Sequence, residues 1–418
     1  MSRVKPIAPL WRLRSYRFIL LGQLVSEFGA ALGTLANSWL IYQTTGSQAA
    51  VGGMWLLYFL PSLAMQLVAG PYLDRFDKKR IMVFSQWMRS GVFCFSFLVI
   101  LIQPGLLWPL YLTSLINGLI QPLYVPASQS LLPSLVKGEH LVQANAYLDS
   151  ALRIAMIAGP PLGGLLVAAV GGVPVLAMVA AGYALSGGLL LMCQNISLET
   201  RAVTQSWFAM FREGLAVFYE KPLLLWLSVF SALVQFAVGI TLVLNLPFIA
   251  GELHGSSFHV GIFLAGYPLG YLLGSLVVAR LSFTERFGQH MIMLGSLVLG
   301  GATFIALGFT YSLWLAIGIE VFAGLVAPFF HVHNTSLYQR YVPPHLMGRV
   351  FSVRLLIVRT TMPLGVWIGG QLGDQVGIRP LFMAMGALIV VASVIGLFFQ
   401  KFTKKSSWRI FDEGTKPF

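Results

Sequence analysis

Long stretches of this chain carry no charge. No Asp, Glu, Lys or Arg occurs between Glu27 and Asp74, between Arg89 and Lys137, between Arg153 and Glu199, or between Arg286 and Glu320. A helix that crosses a bilayer needs about 20 mostly apolar residues, so each interval holds more than one crossing. Turn signals divide them: Thr44 to Ser47 in the first, Gln103 to Gly105 in the second, Gly171 to Pro174 in the third. Reading every such break predicts twelve spans, at 17–43, 49–71, 80–102, 107–132, 140–169, 173–194, 222–250, 257–281, 289–309, 312–338, 346–373 and 378–400.

Composition agrees with the pattern. Of 418 residues, 57% are hydrophobic and only 10% charged, whereas soluble domains are about a quarter charged. This excludes an ordinary soluble enzyme and a disordered chain. A net charge of +13 would point to nucleic acid if the cations shared one exposed face, but they sit in the short gaps between apolar runs. Cys94 and Cys193 both lie inside apolar stretches and read as buried thiols, not a disulfide.

Short positively charged loops stay cytoplasmic. The N-terminus, alternate loops and C-terminal tail hold most of the lysines and arginines, and the opposite loops hold only Arg379. Both termini are therefore expected in the cytoplasm, with the chain multi-pass in the cell (inner) membrane. Arg3, Lys5, Arg12, Arg14 and Arg17 precede an apolar run too long for a signal peptide, so that run reads as the first permanent span.

The chain repeats itself. One ungapped offset lays Gly118, Leu119 and Pro122 on Gly324, Leu325 and Pro328, and Ser130, Leu131 and Val136 on Ser336, Leu337 and Val342. The same offset lays Arg153, Met156, Gly159, Gly163, Gly164, Val170 and Gly171 on Arg359, Met362, Gly365, Gly369, Gly370, Val376 and Gly377. Small residues are common in membrane helices, but an arginine inside a span is rare, and here one recurs at the same register of spans 5 and 11. The expected organisation is a cytoplasmic segment (1–16), a six-helix bundle (17–194), a cytoplasmic connection (195–221), a second six-helix bundle (222–400) and a cytoplasmic tail (401–418). Phe208, Phe211, Leu215 and Phe218 recur at helical spacing, which predicts an amphipathic helix in the connection.

The loop after span 2 reads Gly70-Pro71-Tyr72-Leu73-Asp74-Arg75-Phe76-Asp77-Lys78-Lys79-Arg80. Asp74 is placed to accept from the amino-terminal amides of a neighbouring helix. This segment resembles the loop signature of the major facilitator superfamily. With the run Ala158-Gly159-Pro160-Pro161-Leu162-Gly163-Gly164 and Gly348-Arg349-Val350-Phe351-Ser352, it is similar to the macrolide-efflux and siderophore-exporter branch of bacterial facilitators. The resemblance implies an all-α membrane protein of twelve transmembrane helices in two pseudo-symmetric bundles. It also implies gating by Gly70, Asp74, Arg75, Lys78, Lys79 and Arg80, and an exporter-like motif in span 5 at Gly159, Pro160, Pro161, Gly163 and Gly164. The second-half counterpart of the loop has Ala279-Arg280 in place of Asp-Arg, and span 1 has Glu27-Phe28-Gly29-Ala30 where this branch often carries Gly-Asp.

Glu27 and Glu320 lie about 15 Å along their spans, near mid-depth. The resemblance places them on cavity-lining helices 1 and 10. They are candidates for proton coupling or cation binding, the alternative being structural pairing with an arginine. Asp149 and Arg153 share a face of span 5 and are expected to pair. Arg359 has Leu355 one turn earlier and must find its partner on another helix or on an anionic substrate, whereas Arg354 is expected to snorkel or pair at the bundle interface. His331 and His333, two apart, point different ways and do not suit a metal. Asn117, Gln121 and Tyr124 on span 4, with Gln235 and Asn245 on span 7, are candidates for substrate hydrogen bonds or for holding helices together.

Together these features predict a secondary transporter, not an enzyme, with no cofactor and no metal. Its partners are a small-molecule substrate, protons as coupling ion and the lipid bilayer, without nucleic acid, and it is expected to work as a monomer. The resemblance puts proton-coupled efflux of amphipathic, macrolide-like drugs first. Export of siderophores or other anionic metabolites comes next, then a facilitator-fold protein that binds or senses without transporting. No Gly-rich Lys-Ser/Thr loop is present, which argues against direct ATP hydrolysis.

Overall fold

A computed structural model describes residues 10, 13–73, 77–136, 140–193, 207–280, 288–343 and 346–403 of the chain. Among the described residues there are α-helices and no strands. The first six are α1 (Arg14–Thr45), α2 (Gln48–Leu73), α3 (Lys78–Ile102), α4 (Trp108–Leu135), α5 (Leu141–Val170) and α6 (Gly172–Leu191). A short α7 (Trp207–Glu220) follows, then α8 (Pro222–Pro247), α9 (Ser257–Arg280), α10 (Gln289–Phe309), α11 (Leu313–Tyr341), α12 (Met347–Val376) and α13 (Ile378–Thr403). The last turn of α8 widens into a π-helix at Phe248–Glu252. Eleven helices among the described residues meet the length and hydropathy of a bilayer crossing, and α4 carries no charged residue at all. The twelve expected spans thus correspond to the twelve long helices, displaced by a few residues at their ends.

The outward faces fit a lipid solvent. Phe84, Trp87, Leu98, Leu101 and Ile102 form an exposed apolar face on α3, which a soluble monomer would not present to water. Cys94 lies on that exposed face, against the expectation of burial, because α3 turns its polar residues Ser85, Gln86, Arg89 and Ser96 inward instead. Cys193 is buried, and both thiols are free.

In lipid, helices associate through close packing, and small residues let backbones approach. A Cβ added at Gly118 of α4 would overlap the backbone carbonyl of Tyr58 on α2, and one at Gly324 of α11 would overlap that of Tyr267 on α9. These glycines are partners in the internal repeat, so the duplicated sequence makes the same contact twice. The repeat also places Gly171 (φ 85°) and Gly377 (φ 94°) at the turns after α5 and α12, in the region where a side chain is strained.

The chain divides into two compact units. The first comprises Met1–Ala209, Gly239–Ala265 and Met362–Asp374, and the second Met210–Val238, Gly266–Thr361 and Gln375–Phe418. Within the first, α1 packs on α5 and α6, α3 on α4 and α6, and α2 on α4. This unit also takes in the last turns of α8, the start of α9 and the final part of α12, which sequence reasoning assigned to the second bundle. Glycines explain the close fit: a Cβ on Gly369 of α12 would lie 3.1 Å from the Ile240 Cα of α8, and one on Gly163 of α5 would lie 3.3 Å from the Leu32 Cα of α1.

Within the second unit, α10 packs on α11 and α13. The amphipathic helix α7 docks there through its buried residues Val217 and Phe218, leaving Tyr219 outside. Phe218 lies 6.4 Å from the Tyr338 ring, and Arg349 of the Gly348–Ser352 motif pairs with Glu213 on α7.

Candidate functional site

Polar residues buried in an apolar bundle are costly and are held by one another. In the first unit they gather where α1, α3, α4 and α6 meet. Glu27, half-buried on α1, accepts a hydrogen bond from Gln23 Nε2 at 3.0 Å. The other end of that amide, Gln23 Oε1, accepts from Tyr124 Oη and from Ser128 Oγ, each at 3.2 Å. Beside them Gln86 Nε2 donates to Ser26 Oγ at 2.9 Å. Ser186 of α6 closes the layer by donating to the Gly22 carbonyl at 2.7 Å.

The cation of this cluster is Arg89 on α3, only 2% exposed. One guanidinium nitrogen donates to Gln121 Oε1 at 2.5 Å. Its carbon lies 5.4 Å from the Tyr124 ring centroid and 5.5 Å from that of Tyr183, within cation–π range. Arg89 Nε makes no hydrogen bond among the described residues. The guanidinium acts electrostatically on the Glu27 carboxylate across the cluster, with no direct ion pair between them among the described residues. Sequence reasoning missed Arg89 because it served there only to mark the end of a charged stretch. The signal that finds it is depth: eleven residues past Lys78 places it about 16 Å into the span.

Two of the expected substrate-binding residues are internal to this cluster. Gln121 is engaged by Arg89, and Tyr124 is 1% exposed. Asn117 Nδ2 donates to the Thr113 carbonyl of its own helix at 2.7 Å. Asn245 is buried in the first unit with Oδ1 unsatisfied among the described residues. Gln235 lies in the second unit.

In the second unit Glu320 sits half-buried on α11 against Gly266 of α9, whose added Cβ would lie 3.5 Å from the Glu320 Cβ and Cγ. Tyr267 is close enough to feel its charge. Glu320 makes no hydrogen bond or ion pair among the described residues. Arg354 lies over the faces of Tyr338 at 4.4 Å and Phe351 at 5.4 Å. Arg359 is exposed on α12, with no hydrogen bond or ion pair among the described residues. His333 Nδ1 binds the Phe329 carbonyl at 2.7 Å while His331 faces the Tyr271 ring at 6.2 Å. The two rings diverge, and no group of three metal-ligating side chains occurs among the described residues.

On α5, Arg153 Nε donates to Asp149 Oδ2 at 2.8 Å, both side chains about half exposed. The helix runs unbroken through Pro160 and Pro161, and a Cβ on Gly159 would come within 2.6 Å of the Ala31 Cβ on α1. Of the loop residues, Gly70 closes on the end of α2, whereas Asp74 and Arg75 lie outside the described residues. Asp77 caps α3, accepting from the amides of Lys79 at 2.9 Å and Arg80 at 3.2 Å. Lys79 Nζ donates to the Leu191 carbonyl at 3.0 Å and to that of Cys193, tying the start of α3 to the end of α6. Lys78 is buried beside it.

Residues 4–409 match the family model described as transmembrane secretion effector. The chain is 24% identical over 393 residues to macrolide efflux protein A of Streptococcus pyogenes, covering 92% of this chain and 95% of that protein. It is also 24% identical over 401 residues to the multidrug efflux pump Tap of Mycolicibacterium fortuitum, covering 91% and 94%. Among solved structures, a bacterial homologue of the iron transporter ferroportin in its inward-facing state superposes with a TM-score of 0.72 at 18% identity, over 91% of this chain and 98% of that one. The nucleoside transporter NupG superposes with a TM-score of 0.70 at 16% identity, over 93% and 99%. The chain belongs to the transmembrane secretion effector family, and it is a multi-pass membrane transporter with the major facilitator fold, not an enzyme.

Proposed function

We propose that this protein is a proton-coupled exporter of amphipathic, macrolide-like compounds, working by alternating access as a monomer with both termini in the cytoplasm. The observation that carries this reading is a mid-span carboxylate set in the same polar cluster as a fully buried cation, with no direct bond between them among the described residues. Glu27 has one firm hydrogen bond, from Gln23, and feels Arg89 without being locked to it. A carboxylate so placed is able to exchange a proton with a cavity while Arg89 holds the cluster's charge in balance. Efflux pumps among the relatives support the direction and the drug class. Glu320 is a second carboxylate of the same kind, able to serve as a proton or cation site in the other half.

Cells expressing the chain are expected to retain less of a labelled macrolide and of a lipophilic cationic dye than cells without it. A protonophore should abolish that difference. Retention that is lowered equally with and without the protonophore would rule out coupling to protons, and unchanged retention would remove these compounds as cargo. In that second case Arg359, an exposed cation on α12, favours an anionic cargo such as a siderophore.

A further inference from the structure

Opposite the α2–α3 loop, the far end of α12 meets the start of α2 inside the first unit. The first amides of α2 have no acceptor within their own helix. The Asp374 carboxylate supplies one from 326 residues away: Oδ1 accepts from Gln48 N at 2.8 Å, and Oδ2 accepts from Ala49 N at 3.1 Å. Oδ2 also accepts from Ser47 Oγ at 2.7 Å, and that hydroxyl oxygen in turn accepts from Ala50 N at 3.2 Å. One turn back along α12, a Cβ on Gly370 would lie 3.2 Å from the Ala49 Cα, and one on Gly52 would lie 3.3 Å from the Gly370 Cα. The two backbones therefore touch directly, with a carboxylate seated on the positive end of the α2 dipole.

The internal repeat makes a second seam of the same kind. Gly164, the counterpart of Gly370, packs on the start of α9, where an added Cβ would overlap the Ser257 carbonyl. Ser257 Oγ donates to the Gly164 carbonyl at 2.9 Å. Here, however, Ala168 stands where the repeat would put a second Asp374. Both seams thus combine close packing with a serine hydroxyl, and only the Asp374 seam adds a charge.

We infer that Asp374 is a releasable latch that holds α12 on α2 and keeps this face closed. Its partners are backbone amides and one hydroxyl. The carboxylate remains exposed, so water can replace those bonds when the seam parts, which keeps the contact reversible. The glycine seam supplies the fit, and the charge sets how often it opens. The assignment is independent of cargo and of proton coupling.

The test uses purified full-length protein in lipid nanodiscs, its two native cysteines replaced, with Ala49→Cys as a reporter of the seam. Asp374→Asn keeps the side-chain shape but removes the charge and turns one acceptor oxygen into a donor. It is expected to raise the rate of maleimide labelling at position 49 by about tenfold, equivalent to about 1.4 kcal/mol in the opening equilibrium. Spin labels on the exposed positions Thr44→Cys and Gln371→Cys, in a separate protein, should show a longer distance component in the Asp374→Asn background. Unchanged labelling together with an unchanged distance distribution would overturn the latch. Neither readout uses a cargo or a pH gradient, so this result and the proton-export result can fail separately.

Discussion

Glu27→Gln should leave a folded protein that no longer exports. Glutamine keeps the length and planarity of the side chain and still hydrogen-bonds Gln23, whose amide now lies 3.0 Å from the carboxylate. What it cannot do is gain and lose a proton. Efflux of a labelled macrolide is therefore expected to fall by about tenfold or more, the scale on which a positioned proton-transfer group contributes. Binding of the same compound to the purified protein should change by much less. The paired measurement is cellular retention plus equilibrium binding. A variant that binds and exports like the parent would remove Glu27 from the coupling path, and one that loses binding and export together would make it a substrate ligand instead.

The second large effect concerns Arg89. A buried cation stripped of its compensating anion, or the reverse, costs about 3–5 kcal/mol when the two are tightly paired, and less when they act across intervening groups. Arg89→Gln removes the bond to Gln121 and the contacts with Tyr124 and Tyr183, and it leaves Glu27 without a counter-charge. Thermal unfolding in detergent should therefore rank Arg89→Gln as clearly destabilised. The double variant with Glu27→Gln should be less destabilised than the sum of the two singles, by about 1 kcal/mol or more of coupling. Strict additivity would mean that the two charges do not share one cluster, and would leave Arg89 a packing residue of α3.

The spans were legible because a bilayer demands long uncharged runs, and the turns at Gly46, Gly105 and Gly171 carry the positive φ that their glycines announce. The duplication was legible because glycine and arginine are constrained residues. Gly118 and Gly324 recur in sequence because each lies under a carbonyl of a neighbouring helix.

Arg89 was not legible, since its meaning depends on Tyr124 and Tyr183 closing around it from α4 and α6. Gln121 and Tyr124 were legible only as candidates either for substrate or for helix contacts, and tertiary packing turns both inward onto Arg89 and Gln23. Asp374 carried no local signal either. Its three partners begin at Ser47, 327 positions earlier, and no pattern within α12 marks an aspartate as the cap of a helix elsewhere. Glu27 was visible as a charge at depth. The arrangement that holds it, one amide bond and one remote cation, is a property of the fold.

The most direct test of proton-coupled export is accumulation of a labelled macrolide in proteoliposomes under an imposed pH gradient, acidic inside, for the parent protein and Glu27→Gln. Proton-coupled export requires that the gradient drive accumulation by the parent, that a protonophore collapse it, and that Glu27→Gln not accumulate. Equal accumulation by the two proteins, or accumulation by the parent that is the same with and without the gradient, would contradict it.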